Sequence, residues 1–169
     1  MPDRKTLARA AQDKRQGKAP STQAGEFVRE EIEHVREGKH GARSARQAIA
    51  IGLSKARRAG VDLPPPKKGK ASAKTRAGAR RAIAAAGANG VSHPSPTRSR
   101  AATQALRREP RAAASKRALA VQARTAARKR TAGERAAAAR KAATTKGSPG
   151  RSQAARKAAR TRARKRAAG

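Results

Sequence analysis

The sequence predicts a mostly α-helical protein. A small helix-turn-helix-like pair occupies residues 21–63, and a long basic tail, disordered or conditionally helical, occupies residues 64–169. Three observations predict this division. Large apolar side chains crowd into one stretch: nine lie from Phe27 to Leu63, and only Ile83, Val91, Leu106, Leu119 and Val121 come later. Within that stretch the apolar positions follow a helical period, with no strand pattern. The charge is also lopsided. Of a formal +34, residues 1–19 carry +4, residues 20–63 carry +2 and residues 64–169 carry +28.

Residues 1–20 read as a basic N-terminal arm. A short helix over residues 3–16 is expected, capped by Asp3 and stopped by Gly17. Only Leu7 and alanines give it a face, so little packing is expected of it.

The first helix of the head runs from about Gln23 to Glu37. Val28, Ile32 and Val35 form an i, i+4, i+7 stripe that Phe27 widens. Glu26, Arg29, Glu30, Glu33 and Arg36 take the wet side, and Ser21 or Thr22 is placed to cap the first turn. Gly38 and Gly41 then bracket a basic turn holding Lys39, His40 and Arg43. The second helix opens with a capping box, Ser44 and Gln47. Its face is Ala45, Ala48, Ile49, Gly52, Leu53 and Ala56. Gly52 weakens a helix, so its place there predicts a close approach of two helices. Arg57 and Arg58 suit the negative helix end, Gly60 ends the helix, and Val61 and Leu63 fold back on the pair. So small a pair is marginal alone, which makes a homodimer through residues 21–63 an expectation.

Pro64–Lys70 reads PPPKKGK, a stiff exit and the start of the tail. A helix is expected over Ala71–Ala88. His93–Arg100, HPSPTRSR, is expected to break helix at Pro94 and Pro96, and Ala101–Arg108 to resume it. From Arg111 the text is almost only Ala, Arg, Lys, Ser and Thr. Imperfect repeats begin at Ala126, Ala138 and Ala154, at irregular offsets that suit a low-complexity array rather than a solenoid. Thr131 and Glu134 offer one more capping box. With five large aliphatics in 106 residues, this part is expected to bury too little apolar surface to fold. Helix should grow there when phosphates neutralise the repelling charges.

A search for catalytic chemistry finds little, and no enzyme is expected. Cysteine is absent, which removes disulfides and thiolate chemistry. A metal site is conceivable for His34 with His40, but their spacing matches no usual ligand pattern and no third ligand is suggested; with His93 they read as exposed surface histidines, and no metal or other cofactor is expected. Glu30, Glu31 and Glu33 read as surface partners of nearby arginines. No apolar run approaches a membrane span, and the N-terminus lacks the apolar core of a secretory signal. A cytoplasmic, nucleoid-associated location is the expectation.

The tail carries the strong signal, that of a polyanion partner. At one charge per ~1.7 Å of duplex, +28 would neutralise about 48 Å of DNA. The candidate contacts start with Lys67, Lys68, Lys70, Arg80 and Arg81. Next come Arg98, Arg100, Arg107, Arg108, Lys116 and Arg117. A third group is Arg128, Lys129, Arg130, Arg140, Lys141 and Arg151. The last is Arg156, Lys157, Arg160, Arg162, Arg164, Lys165 and Arg166. Arginine outnumbers lysine, and its planar fork suits phosphates and narrow minor grooves. Aromatics make up 1 % of the chain, too few to stack bases as readers of single strands do.

Ser95-Pro96-Thr97-Arg98 and Ser148-Pro149-Gly150-Arg151 both read Ser-Pro-x-Arg. They resemble the Ser-Pro-Lys-Lys repeats of linker-histone tails, which implies compact turns aimed at the minor groove. Both lack the second basic residue of that pattern. At Glu26–Gly60, EFVREEIEHVREGKHGARSARQAIAIGLSKARRAG resembles a small bacterial family whose members are labelled DNA-binding or plasmid-stabilisation proteins. The glycine-basic turn and Gln47–Gly60 carry that resemblance. The tail is similar in composition to those of linker histones, whose winged-helix domain has no counterpart here. Composition and resemblance together lead to the expectation of non-specific duplex DNA binding and compaction by a histone-like protein. The rivals are an RNA-binding or ribosome-associated protein, and a head that binds a protein partner while the tail tethers it to nucleic acid.

Overall fold

Small residues decide how the central helices meet. The computed structural model describes residues 2–87 and 96–167, with the side chains of Thr145, Lys146 and Lys165 outside that description. Helix α2 spans Pro20–Glu37 and α3 spans Ala45–Arg58. On α3 the buried positions are Ala45, Ala48, Gly52 and Ala56, a seam at helical spacing. On α2 the facing positions include Ala24, Phe27, Glu31 and Val35. The expected close approach is at Gly52: a Cβ there would lie 2.7 Å from the Cα of Val28. The large aliphatics Ile49, Ile51 and Leu53 flank the seam, half-buried.

The ends of these helices follow local chemistry, with one departure. Ser44 caps α3 by accepting from the Gln47 amide at 3.2 Å, while Gln47 Oε1 accepts from the Arg43 amide at 2.8 Å. Gly38 at φ +80° turns the chain out of α2. However, α2 starts earlier than the periodicity indicates. Pro20 is its first residue, Ala19 precedes it without a side-chain cap, and Ser21 and Thr22 lie exposed inside the first turn. Proline presets the helical φ and has no amide to leave unsatisfied, so it replaces the cap.

Both flanks of the pair join its core. Helix α1, Arg4–Arg15, packs on α2 and sends Ala10 into a cluster with Ala24, Phe27, Ala56 and Val61. Asp3 precedes α1 but forms no side-chain cap. Val61 and Leu63 fold back as expected, held by Arg57 in the last turn of α3. Its guanidinium is buried and donates to the Leu63 carbonyl at 3.1 Å and the Pro64 carbonyl at 3.2 Å. Burial pushes the Arg57 pKa down from its ordinary value. Helix α4, Ala73–Gly87, packs on α3 and buries Ala79 and Ala82.

A second cluster draws residues after Leu63 into a core, from a segment expected to bury too little apolar surface to fold. Val35, Ala42 and Ala48 are buried together with Ala113 and Ala114. These two alanines sit on a 3₁₀ turn, Arg111–Ala114, that follows α5, Pro96–Arg107. Backbone hydrogen bonds dock this segment: Gly41 N–H donates to Leu106 O at 2.8 Å and Ala42 N–H to Pro110 O at 3.1 Å. Arg36 Nε adds a bond to Ala114 O at 3.0 Å. A Cβ on Gly41 would collide with the Glu109 carbonyl. Helix α5 is itself a correction, since Pro96 opens it rather than breaking it, as proline at a first helical position can.

The chain divides into two compact units, residues 1–122 and 123–169. Helix α6 is Lys116–Arg128, with Val121 exposed. Helix α7 is Ala132–Ala167 and opens with the expected capping box: Glu134 N–H donates to Thr131 Oγ1 at 3.2 Å, and Thr131 N–H to Glu134 Oε2 at 2.9 Å. Gly147, at φ 62° and ψ 175°, divides α7 into two helical segments. The basic part of the chain is thus largely helical, and no strand occurs among the described residues. No described side chain of α7 is buried. Its helicity rests on alanine, arginine and lysine propensity and on the cap.

Candidate functional site

Two kinds of site emerge: cations on exposed helices, and an ionic cluster buried beside the α2–α3 seam. Lys67, Lys68 and Lys70 lie exposed in the loop after α3, and Arg80 and Arg81 on α4. Arg98, Arg100 and Arg107 are exposed on α5, Arg108 just beyond it, and Lys116, Arg117 and Arg128 on α6. Lys129 and Arg130 precede α7, which exposes Arg140, Lys141, Arg151, Arg156 and Lys157. Arg160, Arg162, Arg164 and Arg166 follow on α7, also exposed, and the Lys165 side chain lies outside the described residues. Arg156, Arg160 and Arg164 recur every four residues, about 6 Å apart along the axis.

The Ser-Pro motifs do not form the two turns expected of them. Ser95 lies outside the described residues, and Pro96, Thr97 and Arg98 are helical. Ser148 and Pro149 are helical too; only Gly147 leaves helical geometry. Arg151 reaches back across that break to the Ala143 carbonyl at 3.4 Å. Proline is compatible with the first turn of a helical segment, and here it starts one.

The buried cluster was not foreseen. Glu31 takes the α2 stripe position between Phe27 and Val35, so the stripe carries a carboxylate between the two apolar clusters. Its side chain is 1 % exposed and that of Glu30 is 3 % exposed, whereas a solvated salt-bridging face was expected. Lys55, one position before the seam residue Ala56, brings its ammonium 2.7 Å from Glu31 Oε2 and 3.2 Å from Glu30 Oε1. Glu30 Oε2 accepts from the Asp3 amide at 3.1 Å. Other parts of this surface behave as expected: Arg29, Glu33 and Arg36 stay exposed, and Arg29 pairs with Glu26 at 3.4 Å.

His34 and His40 complete the cluster and are not surface residues: each side chain is only 14 % exposed. His34 stands one turn after Glu31 on α2, with Nε2 3.6 Å from Asp3 Oδ2. His40 arrives from the turn that Gly38 makes and places Nε2 3.2 Å from Glu31 Oε1. The two rings meet edge to face with centroids 6.2 Å apart. His93 lies outside the described residues. Both Glu31 oxygens and His34 Nε2 are buried without an aligned hydrogen bond; Glu31 is held by its ion pair with Lys55 and faces His40. At the rim, Lys39 pairs with Glu37 at 3.0 Å, and that hydrogen bond raises the Lys39 pKa.

Sequence reasoning missed this cluster because an i, i+3 carboxylate and histidine on a charged helix look like any wet face. One signal was available. Glu31 falls four residues after Phe27 and four before Val35, squarely on the apolar stripe.

These features define a small helical protein with an ionic cluster in its packed unit and exposed basic helices. Residues 5–68 match a family model described as a family of unknown function, DUF6496. The match takes in Glu30, Glu31, His34, His40 and Lys55, and stops before α4. Its description carries neither a DNA-binding nor a plasmid-stabilisation label. No curated protein and no solved structure matches the chain. No helix among the described residues is long and apolar enough to cross a membrane.

Proposed function

We propose that the protein binds duplex DNA without sequence preference and compacts it, as a histone-like, nucleoid-associated protein of the cytoplasm. The observation that carries this reading is the exposure of every described cationic side chain of residues 64–169 except Arg76, in a segment with +28 net charge and only two acids, Glu109 and Glu134. Arginines and lysines of α5, α6 and α7 lie along phosphates and release condensed counterions. The helices lengthen or firm up as phosphates remove the repulsion between like charges, so the basic tail is conditionally helical in use. The helix-turn-helix-like pair α2–α3 is the architectural head, and its dimerisation would let one assembly bridge two duplexes. DNA binding is taken up on charge alone. Plasmid stabilisation is not carried forward, because no residue gives it a mechanism.

The test is a salt titration of the full chain on a labelled duplex. Log affinity should fall linearly with log salt, at about 0.9 per phosphate contact. Replacing Arg156, Arg160, Arg162 and Arg164 together by Gln should shallow that slope by up to about 3.6 on the same relation. Changing the DNA sequence should alter affinity little, since phosphate contacts carry no base information. A salt slope unchanged in the variant, or a strong preference for one sequence, overturns the reading. Preference for structured RNA over DNA at equal phosphate would favour the RNA rival.

A further inference from the structure

We propose that Glu31, His34 and His40 form a binding site for a borderline divalent cation of the zinc class, which clamps the packed unit.

Tautomer chemistry carries the argument furthest. His40 Nδ1 lies 3.0 Å from the Gly41 carbonyl oxygen. A carbonyl only accepts, so Nδ1 must carry the hydrogen and donate it. In the neutral ring Nε2 then presents a lone pair, and it faces Glu31 Oε1 at 3.2 Å. The Nε2–Oε1 gap is bridged either by a proton, with His40 then donating to Glu31, or by a metal ion that takes both lone pairs. A backbone acceptor on the far ring nitrogen is also how proteins orient and polarise a metal-ligating histidine.

The spacing fits a metal. Zinc–nitrogen and zinc–oxygen bonds of ~2.0–2.1 Å at a tetrahedral angle put neighbouring donors about 3.3 Å apart, close to the 3.2 Å seen here. Glu31, His34 and His40 each offer one ligand atom, and these atoms lie within 4.8 Å of one another. Glu31 is the independent sign of a ligand: a carboxylate 1 % exposed, with neither oxygen in an aligned hydrogen bond. His34 Nε2 is likewise buried without one.

Charge agrees. Asp3, Glu30 and Glu31 set three carboxylates against the single Lys55 ammonium, while Lys39 is engaged by Glu37. Two negative charges remain, which a divalent ion balances. Lys55 stays on Glu31 Oε2 and leaves Oε1 to the metal. Two imidazoles and a carboxylate, with no thiolate in the chain, suit zinc, cobalt or nickel better than calcium or magnesium. Asp3 Oδ2, 3.6 Å from His34 Nε2, or a water would fill the fourth place. Such an ion ties α2 to the turn that docks residues 106–114, the kind of staple a small core gains most from.

The experiment uses the full chain, stripped with a chelator and titrated with Zn2+ by calorimetry in a weakly coordinating buffer. Co2+ is the optical probe of coordination geometry. One saturable equivalent of Zn2+, a visible Co2+ band of tetrahedral intensity and a raised melting temperature are expected. His40→Gln and His34→Gln should each weaken Zn2+ at least about a hundredfold, the upper end of what losing a merely supporting group does. His93→Gln should leave binding unchanged. Far-UV circular dichroism of each variant shows that it still folds, and two separate ligand variants guard against one that does not. Absence of a saturable equivalent, or Zn2+ affinity in both ligand variants equal to that of the parent, overturns the site and leaves a proton alone between His40 and Glu31.

Discussion

Helices α2 and α7 are both rich in charge, yet they are helices for different reasons. α2 buries Ala24, Phe27, Glu31 and Val35 against α3, and its neighbours hold it from several sides. α7 buries no described side chain and is interrupted at Gly147. One is held by tertiary packing, the other by propensity and a capping box. The difference shows that helix content and folded core are separate quantities in this chain. The described cations of α7 are all exposed, whereas α2, with its buried carboxylate, is committed to its partners.

The comparison breaks most severely at the ionic cluster. Lys55→Met leaves Glu30 and Glu31 buried without their ammonium, and should destabilise the packed unit by about 3–5 kcal/mol. Urea denaturation followed by circular dichroism should show that loss in the cooperative transition, with the α7 contribution unmoved. Next in size is Gly52→Val. Its Cβ meets backbone of α2 rather than a flexible side chain, so α3 must shift, at about 1–3 kcal/mol or more. A melting temperature equal to that of the parent would show that the seam is looser than the geometry requires.

Gly41→Ala tests whether residues 106–114 belong to the packed unit. The collision with the Glu109 carbonyl should undock that segment and free the amides of Gly41 and Ala42, costing about 1–3 kcal/mol. Hydrogen exchange should accelerate at residues 106–114 while α2 and α3 keep their protection. Unchanged exchange there would remove the segment from the core. The smallest effect is expected in α7. Nothing lies within 4 Å of a Cβ on Gly133, so Gly133→Ala should stabilise that helix by at most about 1 kcal/mol. The helix signal should rise slightly and the cooperative transition should not move. A shift in that transition would mean that α7 is held by packing after all.

Much was legible in residue order because it is local. The Ser44–Gln47 and Thr131–Glu134 caps involve partners three residues apart. The return of Val61 follows from Gly60, at φ +81°, and the close approach at Gly52 from a glycine on an apolar face. Pro96 was misread, and the start of α2 was set later than Pro20, because proline signals both a break and a beginning and its role depends on which side of it the helix lies.

By itself the sequence determined the helical class, the near monopoly of residues 27–63 on large apolar side chains, and the imbalance that puts +28 after Pro64. These follow from composition and from contacts within one or two turns. Only the tertiary structure decided that Ala113 and Ala114, among many alanines, complete the cluster around Val35. It alone brought Lys55, 24 positions along from Glu31, into contact with it, and turned His40 back onto the same carboxylate. The physical reason is that alanine carries no label of its partner, and that a charged side chain declares its burial only when another chain segment has removed the water around it.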